Sequence, residues 1–199
     1  MKLARQAARV LVGVAIIAVV WLLLWADYRS AQSENGDPAF QAEFELTDHS
    51  GMVRTQEDFE GRWMLVFFGF SNCPDVCPTT LAEVTVVMDR LGDDAPRVQP
   101  LFVSIDPTRD TPARLAEYVP RFGAGIIGLT GTSDQIERTA KSFYVYYEKV
   151  EEANAPGGYA MGHSSQLFLF DPDAGYEHSW QYGTSAEEIL SDLEGYIRK

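Results

Sequence analysis

Met64 to Phe70, MLVFFGF, is an apolar run with no polar side chain in it. A run of this length followed by a short loop reads as a strand buried on both faces. A strand that is apolar on both sides needs a covering layer on each, so it points to a sheet between layers of helices, the α/β class.

The rest of the chain supplies those layers. Leu81, Val84, Met88 and Leu91 recur at helical spacing, and Val98 to Ile105 forms a second buried strand. Leu115, Tyr118, Val119 and Phe122 mark another helix, ended by Gly123, and Ile126 to Leu129 is a short strand. Thr132 and Gln135 make a capping box for a helix through Phe143. Tyr144 to Val150 reads as extended. Gln166 to Phe170 is a strand, Asp171 to Gly175 a turn, and Tyr176 to Tyr182 its hairpin partner. Ser185 and Glu188 cap a last helix carrying Ile189, Leu193 and Ile197. This order of elements is thioredoxin-like. It predicts a three-layer fold with a central mixed sheet and helices on both faces, and the helix at 133–143 as an insertion of the peroxiredoxin-like kind. One domain is expected over 40–199, with no internal repeat.

The first residues differ from this domain. Lys2, Arg5 and Arg9 precede VLVGVAIIAVVWLLLWA, 17 uncharged residues from Val10 to Ala26. At 1.5 Å per residue this length is near the lower limit for a membrane span. Trp21 and Trp25 sit toward its outer end, where interfacial aromatics belong. A buried soluble helix fits poorly, because the run is apolar all round. A cleaved signal peptide is the competing reading, but no clear small-x-small site follows. The expectation is an uncleaved transmembrane anchor at 10–26, a cytoplasmic basic segment at 1–9 and a polar linker at 27–39. Basic residues before the span and acidic ones after it place the domain outside the cytoplasm. No Arg- and Ser-rich transit segment precedes the span, so the expected site is the periplasmic face of a bacterial inner membrane. In that oxidising compartment a cysteine pair is able to form a disulfide bond. The net charge of the chain is −13, and this acidity argues against nucleic-acid binding.

The only two cysteines, Cys73 and Cys77, lie in the loop after the first buried strand, SNCPDVCPTT. That is where a strand's C-terminal end meets a helix N-terminus, an edge at which ligand and redox sites gather. A helix N-terminus lowers cysteine pKa, and Pro78 suits a first helical position. A structural disulfide or two inert thiols is the competing reading; two prolines, an Asp and an Asn describe an exposed, shaped loop instead. The C-x3-C spacing is one residue wider than the C-x-x-C redox motif, so both sulfurs can face one soft metal ion. Of the three histidines, His49 reads as a surface turn residue and His178, beside Trp180, as structural or exposed. His163 ends a glycine-containing flexible loop, Pro156 to His163, just before a strand, a position that faces the cysteine loop in a thioredoxin-like fold. Two thiolates and an imidazole suit Cu(I), with Cu(II) feasible if water or another ligand joins. Zinc would want a fourth ligand; Met161 is a soft candidate better read as packing.

These residues resemble the Sco/SenC family of copper chaperones. The resemblance is carried by FxxCPDVCPTTL around Cys73 and Cys77, FVSIDPTRDTP from Phe102 to Pro112, GLTGT from Gly128 to Thr132, VYY from Val145 to Tyr147, and His163. It covers about Phe40 to Lys199. It implies copper held by Cys73, Cys77 and His163, and a role in assembling the CuA centre on subunit II of cytochrome c oxidase, with an upstream copper donor left open. Asp106, Arg109 and Asp110 match a family signature and read as loop and helix-start structure rather than ligands. Three alternatives stand beside this. A periplasmic thiol–disulfide oxidoreductase would use Cys73 as nucleophile and Cys77 as resolving thiol, but Ser164-Ser165 stands where thioredoxins place a proline. A peroxiredoxin would want T-x-x-C, whereas Phe70 lies three before Cys73. A redox or copper sensor would need the same ligands as a donor.

Overall fold

The computed structural model describes residues 40–123 and 125–198. The basic segment 1–9, the anchor 10–26 and the linker 27–39 lie outside the described residues. Among the described residues no helix is long and apolar enough to cross a membrane.

The chain runs β1 (Glu45–Asp48), β2 (Val53–Thr55), β3 (Trp63–Gly69), α1 (Val76–Leu91), β4 (Val98–Ser104), α2 (Pro112–Tyr118), β5 (Ile127–Thr130), α3 (Ser133–Ser142), β6 (Tyr147–Glu151), β7 (Tyr159–His163), β8 (Leu167–Phe170), β9 (Tyr176–Trp180) and α4 (Ala186–Ile197). Seven strands form one mixed sheet in the order β2-β1-β5-β4-β3-β8-β9, and β6 and β7 form a separate ribbon. β3 pairs with β4 in parallel and with β8 antiparallel. Both β3 and β4 are buried at every residue, as their apolar runs predict.

Side-chain alternation assigns the layers. Phe67 of β3 is in register with Phe102 of β4, whose ring lies 5.5 Å from that of Tyr118 in α2. Trp63, on the same face of β3, meets Tyr196 of α4 at 6.0 Å. Gly69 on that face backs onto Cys77 of α1. So α1, α2 and α4 cover one face. Phe68 points the other way, 5.0 Å from the ring of Phe143 at the end of α3. Phe143 packs in turn on Phe170 at 5.1 Å and Phe44 at 6.4 Å. Helices therefore lie on both faces of a central sheet.

The sequence expectation differs from the structure in four places. β1 and β2 are absent from it, because strands of four and three residues carry too few alternations to register. The helix expected through Phe122 is α2 followed by a 3-10 turn, Val119–Phe122; Pro120 lacks the N–H that would continue an α-helix. His49 is half-buried rather than on the surface, and its Nδ1 accepts a hydrogen bond from the Gly128 N–H at 3.1 Å. Residues 159–163, expected as flexible loop, are a strand in register with β6, Tyr147 opposite His163. Gly157 and Gly158, with φ of 75° and 80°, turn the chain, and the five residues after them are free to pair. His178 packs on Trp180 and Tyr196, at 4.9 Å and 6.0 Å between ring centres, a structural place as read.

Candidate metal centre

β3 ends at Gly69, and the absence of a side chain there makes the site. A Cβ at this position would stand 2.8 Å from Cys77 Sγ and 2.9 Å from a Phe102 ring carbon, closer than such contacts are found. The chain then turns, with the Cys73 N–H donating to the Phe70 carbonyl at 3.1 Å, and α1 starts at Val76. Cys77 falls in the first turn of α1 and is fully buried; Cys73, before the helix, is half-buried, and both are free thiols. The first-turn N–H groups of a helix have no partner inside it. That of Cys77 donates to Cys73 Sγ at 3.4 Å.

His163 comes from the end of β7, 86 residues beyond Cys77. Its Nδ1 lies 2.7 Å from the Ser164 carbonyl. A carbonyl only accepts, so Nδ1 carries the proton and Nε2 presents its lone pair. Nε2 lies 3.9 Å from Cys77 Sγ. The rings of Phe67 and Phe70 flank the imidazole edge-on, at 6.3 Å and 6.0 Å.

The electrostatics follow from this packing. The Cys73 thiol is pulled down to about 4, first by the hydrogen bond from the Cys77 thiol, against the effect of burial, and then by the N–H groups of Cys77 and Asp75. Cys77 is pushed up, because it is the donor to Cys73 and because it is buried beside that charge. The pair titrates as a unit, one proton held between two sulfurs with the charge on the outer one.

Asp110 holds the loop from beneath. It is fully buried and accepts hydrogen bonds from the Ser71 N–H at 2.8 Å, the Ser71 hydroxyl at 2.5 Å and the Ser104 hydroxyl at 2.6 Å. Its carboxylate thus ties the ends of β3 and β4 together below the cysteines. The sequence reading of Asp110 as helix-start structure missed this. The expected opening of α2 is present: Thr111 accepts from the Arg114 N–H at 3.2 Å, with Pro112 at the first position. Met161 packs against the core as expected.

All three predicted site residues come together, as touching pairs. Among the described residues no group of three or more His, Cys, Asp or Glu side chains is drawn around a common ion position. The donor chemistry still fits one. An ion held by a sulfur at about 2.3 Å and an imidazole nitrogen at about 2.0 Å keeps those donors roughly 3.5 to 3.7 Å apart at tetrahedral to trigonal angles, and the Cys77–His163 separation of 3.9 Å is slightly wider than that. Two sulfurs and one nitrogen are soft donors, matched to a soft monovalent ion or a borderline divalent one.

A mixed sheet with a thiol pair at a strand-to-helix junction, faced by a histidine from a separate ribbon, defines a thioredoxin-like domain with a soft-donor site. The chain belongs to the SCO1/SenC family, whose pattern matches residues 32–198. The mitochondrial SCO2 homolog of Bos taurus is 36% identical over 188 residues, covering 89% of this chain and 69% of the bovine one. Two solved structures, both described as having copper bound, share the fold. ScoI of Arabidopsis thaliana matches with a TM-score of 0.76 at 32% identity, over 80% of this chain and 99% of its own. ScoI of Bradyrhizobium japonicum matches with a TM-score of 0.72 at 36% identity, over 78% and 98%.

Proposed function

We propose that this protein is a copper chaperone that binds one copper ion through Cys73, Cys77 and His163 and delivers it to the CuA centre on subunit II of cytochrome c oxidase. The observation that carries the reading is the approach of His163 to the cysteine pair across 86 residues of chain, with Nδ1 committed to a carbonyl and Nε2 facing Cys77 Sγ. A thiol–disulfide enzyme needs no such ligand. Cu(I) suits the three donors, and Cu(II) binds with water as an added ligand. Copper here is cargo: Cys73 offers a ready thiolate, Cys77 gives up the shared proton on capture, and the half-exposed Cys73 side is the route of exchange to an acceptor. Family membership supports the oxidase as destination. The basic residues before 10–26 support a single-pass anchor in a bacterial inner membrane with the domain in the periplasm, where an upstream copper donor would meet it.

A second reading has one observation in its favour. A half-exposed Cys73 thiolate beside the Cys77 thiol is the arrangement of a dithiol reductant. Cys73 would attack a substrate disulfide, and Cys77 would close the ring and release the second thiol, two electrons passing to the substrate.

Anaerobic copper titration of the full-length protein in detergent separates the readings. One copper per chain is expected, lost in Cys73→Ala and Cys77→Ala, weakened in His163→Ala and unchanged in His178→Ala. A His163→Ala protein that binds copper like the wild type would leave the reductase reading standing.

A further inference from the structure

The ribbon that carries His163 is not hydrogen-bonded into the seven-stranded sheet, so no sheet ladder sets the histidine over the cysteines. A cluster at the other end of β7 does hold it. Arg109, in the turn between β4 and α2, is 15% exposed, and its Nε is paired with Asp106 Oδ2. Its Nη1 donates to the carbonyls of Pro156 at 2.7 Å and Tyr159 at 3.1 Å. Its guanidinium lies 3.8 Å from the centre of the Tyr159 ring, and the Tyr159 hydroxyl donates to Asp106 Oδ1 at 2.8 Å. Tyr159 is thereby fixed by backbone and ring at once. His163 lies four residues along the same strand, on the same face, roughly 13 Å away in an extended chain. The arginine also lies 5.7 Å from the Phe70 ring, the ring that flanks His163. Asp110, in the same turn, holds Ser71 beside the cysteines. One turn, Asp106 to Asp110, is thus the common reference for both ligand-bearing segments. Arg109 Nη2 is buried with no hydrogen-bond partner among the described residues, a desolvation cost accepted for the position of the group.

We propose that Asp106, Arg109 and Tyr159 form a latch that positions His163 over the cysteine pair, with Arg109 as its positioning residue. The proposal rests on the reading of His163 as a copper ligand. The latch touches no metal; it sets how often the imidazole stands where two sulfurs need a third donor. Only a planar fork reaches a carboxylate and two carbonyls together, so lysine is no substitute here.

The test compares Arg109→Lys, Tyr159→Phe, His163→Ala and the Arg109→Lys/His163→Ala double variant as full-length proteins, with Cu(II) as probe. Affinity is read by chelator competition, nitrogen coupling by electron paramagnetic resonance and sulfur ligation by the thiolate charge-transfer band. Arg109→Lys should lower affinity about 10- to 100-fold and weaken the nitrogen coupling while the sulfur band persists. Tyr159→Phe should move both in the same direction by less. In the His163→Ala background Arg109→Lys should cost nothing more. The latch is overturned if Arg109→Lys and Tyr159→Phe bind and look like the wild type, or if Arg109→Lys loses the same factor with His163 absent. Wild-type behaviour of His163→Ala alone overturns the ligand reading instead, a separate result.

Discussion

Two side chains, one absent and one reluctant to give up its proton, set the chemistry of the centre. Gly69 leaves the space that Cys77 fills. In Gly69→Ala the new methyl meets Cys77 Sγ and Phe102 at under 3.0 Å, a clash costing about 1–3 kcal/mol, and the cysteine must move from its place near His163. Gly128→Ala is a matched control, since its methyl would meet Val119 and Leu115 at 3.0 Å and 3.2 Å, away from the thiols. Both should lower the denaturant midpoint, and only Gly69→Ala should also lower copper affinity. The second prediction concerns Cys73. Its pKa lies near 4 and below that of an ordinary thiol, so it is a thiolate across the neutral range. Alkylation of Cys73 in the metal-free reduced protein should vary little with pH above about 5, apart from the reagent's own dependence, and fall as pH drops through 4. Cys77→Ala removes the main donor to the thiolate, so the midpoint should shift upward. A wild-type midpoint near 8 would contradict the geometry of the pair.

Elements were legible from sequence in proportion to their hydrophobic signal. MLVFFGF and the run from Val98 to Ile105 are buried on both faces, and continuous apolar runs read correctly as β3 and β4. The capping residues Thr132 and Gln135 bond reciprocally as foreseen, so α3 was visible before its packing was. Of the β6–β7 ribbon, β6 overlaps the stretch read as extended, Tyr144 to Val150, whereas β7 was taken for loop, because YAMGH follows two glycines and is buried only at Tyr159, with no apolar period. The cysteines and His163 announced themselves by residue type, whereas the roles of Asp110 and Arg109 did not, since beside their near partners Ser104 and Asp106 they hold Ser71, 39 residues from Asp110, and Pro156, 47 residues from Arg109. The β1–β2 hairpin was missed for its length, and it is held by a charge. Asp48 is buried and accepts from the Ser50 N–H and hydroxyl, the Met52 N–H and Arg54 Nε. Burial opposes its ionisation, but these donors prevail and its pKa is lowered. A carboxylate with a lowered folded pKa contributes stability in full above its unfolded value, about 3.9, and loses it as pH falls toward the folded value. Asp48→Asn should therefore destabilise by about 1–3 kcal/mol at neutral pH, with the difference from wild type steady down to about pH 5 and shrinking below pH 4. A difference independent of pH would show that the ionised form has no special place in the hairpin.

At the scale of the molecule, the junction between β3 and α1 carries the cysteines and a separately hydrogen-bonded ribbon carries the histidine, and the proposed metal centre is where the two meet. The same division explains how capture and release are reconciled. In the proposed centre Cys73, just before α1, and Cys77, in its first turn, would retain the ion, and the third donor would arrive on a ribbon that is referenced to the sheet through one turn. Redox state enters at the same place, because a disulfide between Cys73 and Cys77 offers no thiolate, so oxidation and loading exclude one another. The full-length protein should accordingly take up copper only when reduced, and the loaded form should resist thiol alkylation. The central claim, that Cys73, Cys77 and His163 hold the ion together, is met most directly by X-ray absorption at the copper edge of the reduced, singly loaded protein. The account predicts two sulfur scatterers and one imidazole nitrogen, with the nitrogen contribution lost in His163→Ala; a first shell without sulfur would contradict it.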